Sequence, residues 1–222
     1  MKQRGLGLFL ILTALTGCKA VAPTTPEETG GMPYGKWDFA FFTPKALYAS
    51  VTQALVIDEK GVVYTFRTLD SVQDSAITEG TWNNEVRRHA QFNKARHPPV
   101  MMLFCWDSVI DKKTYETRIV FPASLRTRML TPTGKDSYGT TWYDTLLIGL
   151  APEGKVRVWL QNSGIGGNLP VEPQRLTTLS GEKLDACKYI PPSINFSYAV
   201  PDGYDRETKE FIKGKTYPYG QW

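Results

Sequence analysis

Apolar and polar positions alternate along most of the chain after residue 36. Trp37, Phe39 and Phe41 are interleaved with Asp38 and Ala40, a period of two that predicts a half-buried strand. Residues 54–57 and 62–67 flank Asp58-Glu59-Lys60-Gly61, which reads as a four-residue hairpin loop with glycine where a left-handed residue is wanted. Residues 100–106 are apolar on both faces, as expected of a central strand covered on both sides. Residues 114–121 alternate again, with Tyr115, Thr117, Ile119 and Phe121 on one face, and Asp111-Lys112-Lys113 supplies the preceding turn. The clearest hairpin joins residues 144–150 to 155–161 through Ala151-Pro152-Glu153-Gly154. In its second strand Val156, Val158 and Leu160 point one way, and Lys155, Arg157, Trp159 and Gln161 the other.

Helical signals are few. Residues 122–130 predict two turns with Leu125 and Met129 on one face, and residues 84–96 a further short helix ending before Pro98. There is no internal repeat and no strand–helix–strand rhythm, which disfavours a parallel sheet. The expected fold is mainly β, an antiparallel β-sandwich-like domain with one or two short helices. Residues 189–222 are rich in proline and tyrosine, and their aromatics predict packing across the body.

The N-terminus follows different rules. Lys2 and Arg4 precede the apolar run 6–15, which is too short to span a bilayer and reads as a secretory signal over residues 1–17. Leu15-Thr16-Gly17-Cys18 resembles the lipobox of bacterial lipoproteins, in which the cysteine carries a diacylglycerol thioether and becomes the new N-terminus. Cys18 is therefore the expected lipidation site. Acyl chains anchor a protein at about 0.8 kcal/mol per buried CH₂. Lys19 stands where an aspartate would favour inner-membrane retention, so the expected location is the periplasmic side of the outer membrane. Residues 18–35, with Pro23, Pro26, Pro33, Gly30, Gly31 and Gly35, predict a flexible tether. Residues 36–222 form the expected single β-rich domain.

Composition narrows the function. The 222 residues are 41% hydrophobic, with 26 Lys+Arg against 22 Asp+Glu, which excludes intrinsic disorder and a multi-pass membrane protein. Removing residues 1–17 takes two positive charges from the formal +4, so nucleic acid is not an expected partner. With Cys18 assigned to lipid, Cys105 and Cys187 remain for an oxidising compartment. One disulfide between them is the expectation; the alternative is two reduced thiols, with Cys105 filling the core.

No GxSxG, HExxH or convincing SxxK is present, and no ligand spacing suggests a metal. The two histidines, His89 and His97, lie in a polar segment that reads as solvated surface. The glycines of residues 162–167 follow a hairpin strand, and Pro170 interrupts any helix that could hold phosphate, so a mobile loop is expected there. No catalytic residue and no cofactor is assigned, and a binding protein is favoured over an enzyme.

The segment Phe104-Cys105-Trp106-Asp107-Ser108-Val109-Ile110-Asp111 with Lys112 through Thr117 resembles a bacterial lipoprotein family, domain of unknown function 2931. So do residues 142–147 and 149–160, and the aromatic opening 37–42. These are mostly strand and turn residues, so the resemblance implies fold before chemistry. Lipoproteins that look like this are often associated with type VI secretion phospholipase effectors as cognate immunity proteins. The resemblance therefore implies a membrane-anchored periplasmic protein that binds and occludes such an effector. The alternative is a general cell-envelope lipoprotein in assembly or ligand binding, with an enzyme third. Two segments carry the material of an inhibitory surface: residues 83–97 with Arg87, Arg88, Phe92 and Arg96, and residues 162–168 with Gly164 and Gly166.

Overall fold

The structure, a computed structural model, describes residues 31–75, 77–193 and 204–222. The signal segment, Cys18 and most of the expected tether lie outside them. Among the described residues no helix is long and apolar enough to cross a membrane.

The strands are β1 (Trp37–Pro44), β2 (Ala49–Asp58), β3 (Val63–Phe66), β4 (Gln73–Ser75), β5 (Lys94–Ala95), β6 (Pro99–Ser108) and β7 (Lys113–Val120). They continue as β8 (Gly134–Asp136), β9 (Gly139–Thr141), β10 (Tyr143–Ala151), β11 (Lys155–Asn162), β12 (Leu169–Val171) and β13 (Arg175–Ser180). Two short helices, α1 (Ala123–Met129) and α2 (Arg206–Ile212), complete the described elements with two 3₁₀ turns. One sheet runs β12-β11-β10-β1-β4, with β5 also on β1, and the other runs β13-β7-β6-β2-β3. The mainly β sandwich predicted from alternation is the fold observed.

Inward-facing residues of both sheets make one core. Trp37, Phe39 and Phe41 of β1 and Leu146, Ile148 and Leu150 of β10 meet Ala54 and Val56 of β2 and Met102, Phe104 and Trp106 of β6. The Phe41 and Phe104 rings lie 5.0 Å apart across the layers. Leu125 and Met129, one turn apart on α1, close the same core. Helix α1 forms where Pro122 ends strand pairing, and Arg126 and Arg128 occupy its last turn, where the helix dipole favours positive charge.

Three expectations need correction. First, the six-stranded sheet is mixed: β1 pairs in parallel with both β10 and β4. No crossover helix is needed, because the chain passes through β2 and β3 of the opposite sheet between β1 and β4. Second, residues 84–96 form no helix. Their backbone donors are taken by side chains instead: the Asp70 carboxylate accepts from the N–H groups of Gln91, Phe92 and Asn93. Third, packing begins before Lys36. Met32 is 5% exposed within the main core, and Tyr34 packs against it.

The outer faces of both sheets are also covered. On the five-stranded sheet, Cys105 in the middle of β6 is bonded to Cys187, with Cα atoms 5.6 Å apart. Leu55, Leu103, Leu184 and Ile190 pack around the bridge. The buried Glu116 of β7 holds the same loop, its carboxylate accepting from the backbone N–H of Asp185 and of Cys187, each at 2.9 Å. Residues 204–222 pack against the body through Phe211, Tyr219 and Trp222, and Asp205 caps α2 by accepting from Thr208 N–H. Tyr198 and Pro201 of the same expectation fall outside the described residues.

Candidate functional site

The outer face of the six-stranded sheet carries Ala40 and Phe42 of β1, Leu147 of β10 and Trp159 of β11. The segment after β4 lies over them. Val86 is buried on this patch, and the ring of Trp82 meets that of Trp159 with centroids 5.6 Å apart. Gly149 makes room for the contact, since a Cβ there would sit 2.5 Å from the Trp82 ring. Asn84 accepts from Trp159 Nε1 at 2.9 Å. Thus, on the face of β11 that alternation sets opposite Val156, Val158 and Leu160, Trp159 and Gln161 are buried while Lys155 and Arg157 are exposed.

Over this face the two sequence-selected segments meet. Arg87 donates through Nη2 to the carbonyls of Asn162 at 2.6 Å and Gly164 at 2.9 Å, and through Nη1 to that of Gly166 at 3.4 Å. A guanidinium with a planar fork of donors suits a ring of carbonyls. Asn162 Oδ1 accepts from Gly164 N–H, and Asn168 donates to the carbonyl of Val86. The loop expected to be mobile is therefore braced.

Arg88 is fixed as well. Its backbone N–H donates to Gln161 Oε1, Gln161 Nε2 donates back to its carbonyl, both at 2.7 Å, and its guanidinium donates to the carbonyls of Arg87 and Asp74. Both arginines are thus held by the protein's own carbonyls, and charge reversal there would load the fold as well as any interface. Phe92 and Arg96 are placed by other contacts. Phe92 is half exposed over the Asp70 knot, and Arg96 lies beside Tyr64 of β3.

Next to the braced loop stands the β8–β9 hairpin. The Thr133 hydroxyl donates to Asn162 Oδ1 and accepts from the Thr141 hydroxyl, and a Cβ on Gly164 would touch the Thr141 methyl. Ser163 and Trp142 exchange two hydrogen bonds, Ser163 N–H to the Trp142 carbonyl and Trp142 N–H to Ser163 Oγ. The two loops therefore rise from one base. Their tips are Ile165, fully exposed, and Tyr138, 97% exposed.

Below this base the sheet gathers two carboxylates. A register shift between Tyr143 and Thr145 marks a bulge in β10, and the Thr145 hydroxyl donates to Asp144. Asp38 stands opposite Thr145 on β1. Burial pushes the Asp38 carboxyl up to about 6 against the pull of the Thr145 hydroxyl, and the nearby Asp144 charge adds to it. Burial raises Asp144 as well, while His89 and Arg87 favour its ionised form. Tyr34 is raised by burial and by both carboxylates. Asp38 Oδ1 is buried without a hydrogen-bond partner. Burial and the neighbouring Asp144 charge therefore favour the protonated form of Asp38 more than water does. Sequence reasoning missed the pair because Asp38 and Asp144 come from distant parts of the chain.

A cleft of about 560 Å³ opens elsewhere, lined by Tyr48, Val51, Leu69, Asp70, Val109 and Asp205 among others. Its two carboxylates are structural. Burial pushes Asp70 up, but three backbone N–H groups outweigh it and hold the carboxyl below its ordinary range; Asp205 caps α2. Among the described residues no group of three or more His, Cys, Asp or Glu could hold a metal.

The fold and this surface define a mainly β domain with a braced two-loop projection on one sheet. The chain belongs to the family described as protein of unknown function (DUF2931), whose model matches residues 20–220. No curated protein and no solved structure matches the chain.

Proposed function

We propose that this is a lipid-anchored periplasmic binding protein that occludes a type VI secretion phospholipase effector and so confers immunity. The observation that carries the binding reading is the Arg87 brace, which ties the 83–97 segment to the glycine loop through three carbonyls. Preorganised loops reduce the ordering cost of association, the property an inhibitor needs. The lipobox at Cys18 supports an anchor, and Lys19 supports the outer membrane as its site. A lipase delivered to the periplasm acts on membrane lipid, so a tethered inhibitor is concentrated where the enzyme must work. The motifs shared with effector-associated lipoproteins support the choice of partner. Neither a cofactor nor nucleic acid has a part in this reading.

The test pairs the chain with a type VI secretion phospholipase, and a gene for one beside the gene for this chain would name the cognate enzyme. Cells expressing the enzyme in the periplasm should survive only when the chain is co-expressed. Labelled fatty acid should enter the wild type and not Cys18→Ser, and the wild type should fractionate with the outer membrane. Equal labelling of both proteins refutes the anchor; lysis despite co-expression refutes the immunity role. Hydrolysis of an ester panel by the purified chain would instead make it an enzyme.

A further inference from the structure

The two loop tips have the form of pegs. Ile165 is the sole side chain across residues 164–167, and it is fully exposed on a glycine stalk. Tyr138, 97% exposed, precedes Gly139 at the tip of the adjoining hairpin. Both backbones are fixed. Arg87 and Ser163 hold the first loop, and Asp136 Oδ1 accepts from the N–H groups of Tyr138 and Gly139 at 2.8 and 3.1 Å in the second. Large apolar side chains held rigidly in water, on narrow supports, match a concave apolar partner better than a flat one.

Charge separates a protein cleft from a bilayer. Docking on anionic lipid draws on free cations beside the apolar tip. Here Lys135 is offset by Asp136, residues 162–168 carry no charge, and the Arg87 guanidinium is committed to three carbonyls. We propose that Ile165 and Tyr138 enter a narrow apolar cleft of a partner protein. In the reading above, on which this rests, the cleft is the acyl-chain cleft of the phospholipase, and Arg87 is a positioning residue behind the peg.

The test uses the full acylated chain in detergent micelles and a purified type VI secretion phospholipase, with binding by calorimetry and inhibition on a short-chain nitrophenyl ester. Ile165→Asp should weaken binding at least about thirtyfold, as expected of a central anchor, and Tyr138→Asp about tenfold. Val63→Asp, at an exposed position on the edge strand of the other sheet, should bind as the wild type does. Circular dichroism melts should be unchanged throughout, because none of these side chains is buried. Wild-type inhibition that survives both peg substitutions overturns the inference and leaves the immunity reading standing. No binding by the wild type overturns both. Sedimentation of the unacylated Cys18→Ser full chain with phosphatidylglycerol vesicles, lost on Ile165→Asp, makes the bilayer the occupant and overturns the cleft.

Discussion

Replacing Glu116 with alanine tests how the loop around Cys187 is held. The Glu116 carboxylate is fully buried and accepts from Asp185 N–H, Cys187 N–H and Arg118 Nε, the last at 2.7 Å. Removing it leaves the Cys187 N–H in a dry site with no acceptor and the Asp185 N–H in a partly dry one. Each orphaned donor costs about 1–3 kcal/mol, so the expected loss is about 3–5 kcal/mol, the range for breaking a buried charged contact. The disulfide makes the cost unavoidable, because it keeps the loop seated while the acceptor is gone. Its own contribution, for a sequence separation of 82, is about 4.5 kcal/mol in the chain-entropy account. In a Cys105→Ala, Cys187→Ala background the loop can lift into water, so Glu116→Ala should cost less, about 1–2 kcal/mol. Urea unfolding followed by tryptophan fluorescence gives all four corners of the cycle. A loss below about 1 kcal/mol in the disulfide-bonded protein, or equal losses in the two backgrounds, would refute the idea that the carboxylate and the bridge act on one loop.

Gly149→Ala should destabilise by about 1–3 kcal/mol, since its Cβ would meet Trp82 at 2.5 Å and Trp159 at 3.0 Å; calorimetric melting checks this, and an unchanged midpoint would mean Trp82 yields freely. Asp38 has a folded pKa raised to about 6, so between about pH 4 and 6 the folded protein holds a proton that the unfolded chain has lost, and stability falls as pH rises through that window. Asp38→Asn should flatten this slope and raise stability at pH 7 by about 1 kcal/mol after allowance for solvent screening, measured as urea midpoints from pH 4 to 8. Arg87→Ala should leave the core intact at a cost near 1 kcal/mol but speed amide exchange at residues 163–167; unchanged exchange would show that the brace is dispensable.

Strand positions and the hairpin at residues 151–154 were legible because a sheet with one face on the core imposes a period of two, and that period survives in sequence. The α1 helix was legible from Leu125 and Met129 for the corresponding reason at helical spacing. Cysteine arithmetic gave the Cys105–Cys187 disulfide as the expectation, and the tertiary structure brings the two together. Alternation could not say what covers the outer faces. Trp159 and Gln161 share a face with Lys155 and Arg157, and only the structure shows that Trp82 and Val86 bury the one and the Arg88 backbone clamps the other. Nor could it show that Arg87 meets the glycine loop or that Asp38 meets Asp144, since contacts between distant segments leave no local period. Local sequence determined the elements and their buried faces through backbone geometry and hydrophobic burial. Only the tertiary structure decided which strands are neighbours, which polar groups are satisfied, and that Ile165 and Tyr138 stand exposed on one braced base, because those depend on pairings the chain makes across its whole length.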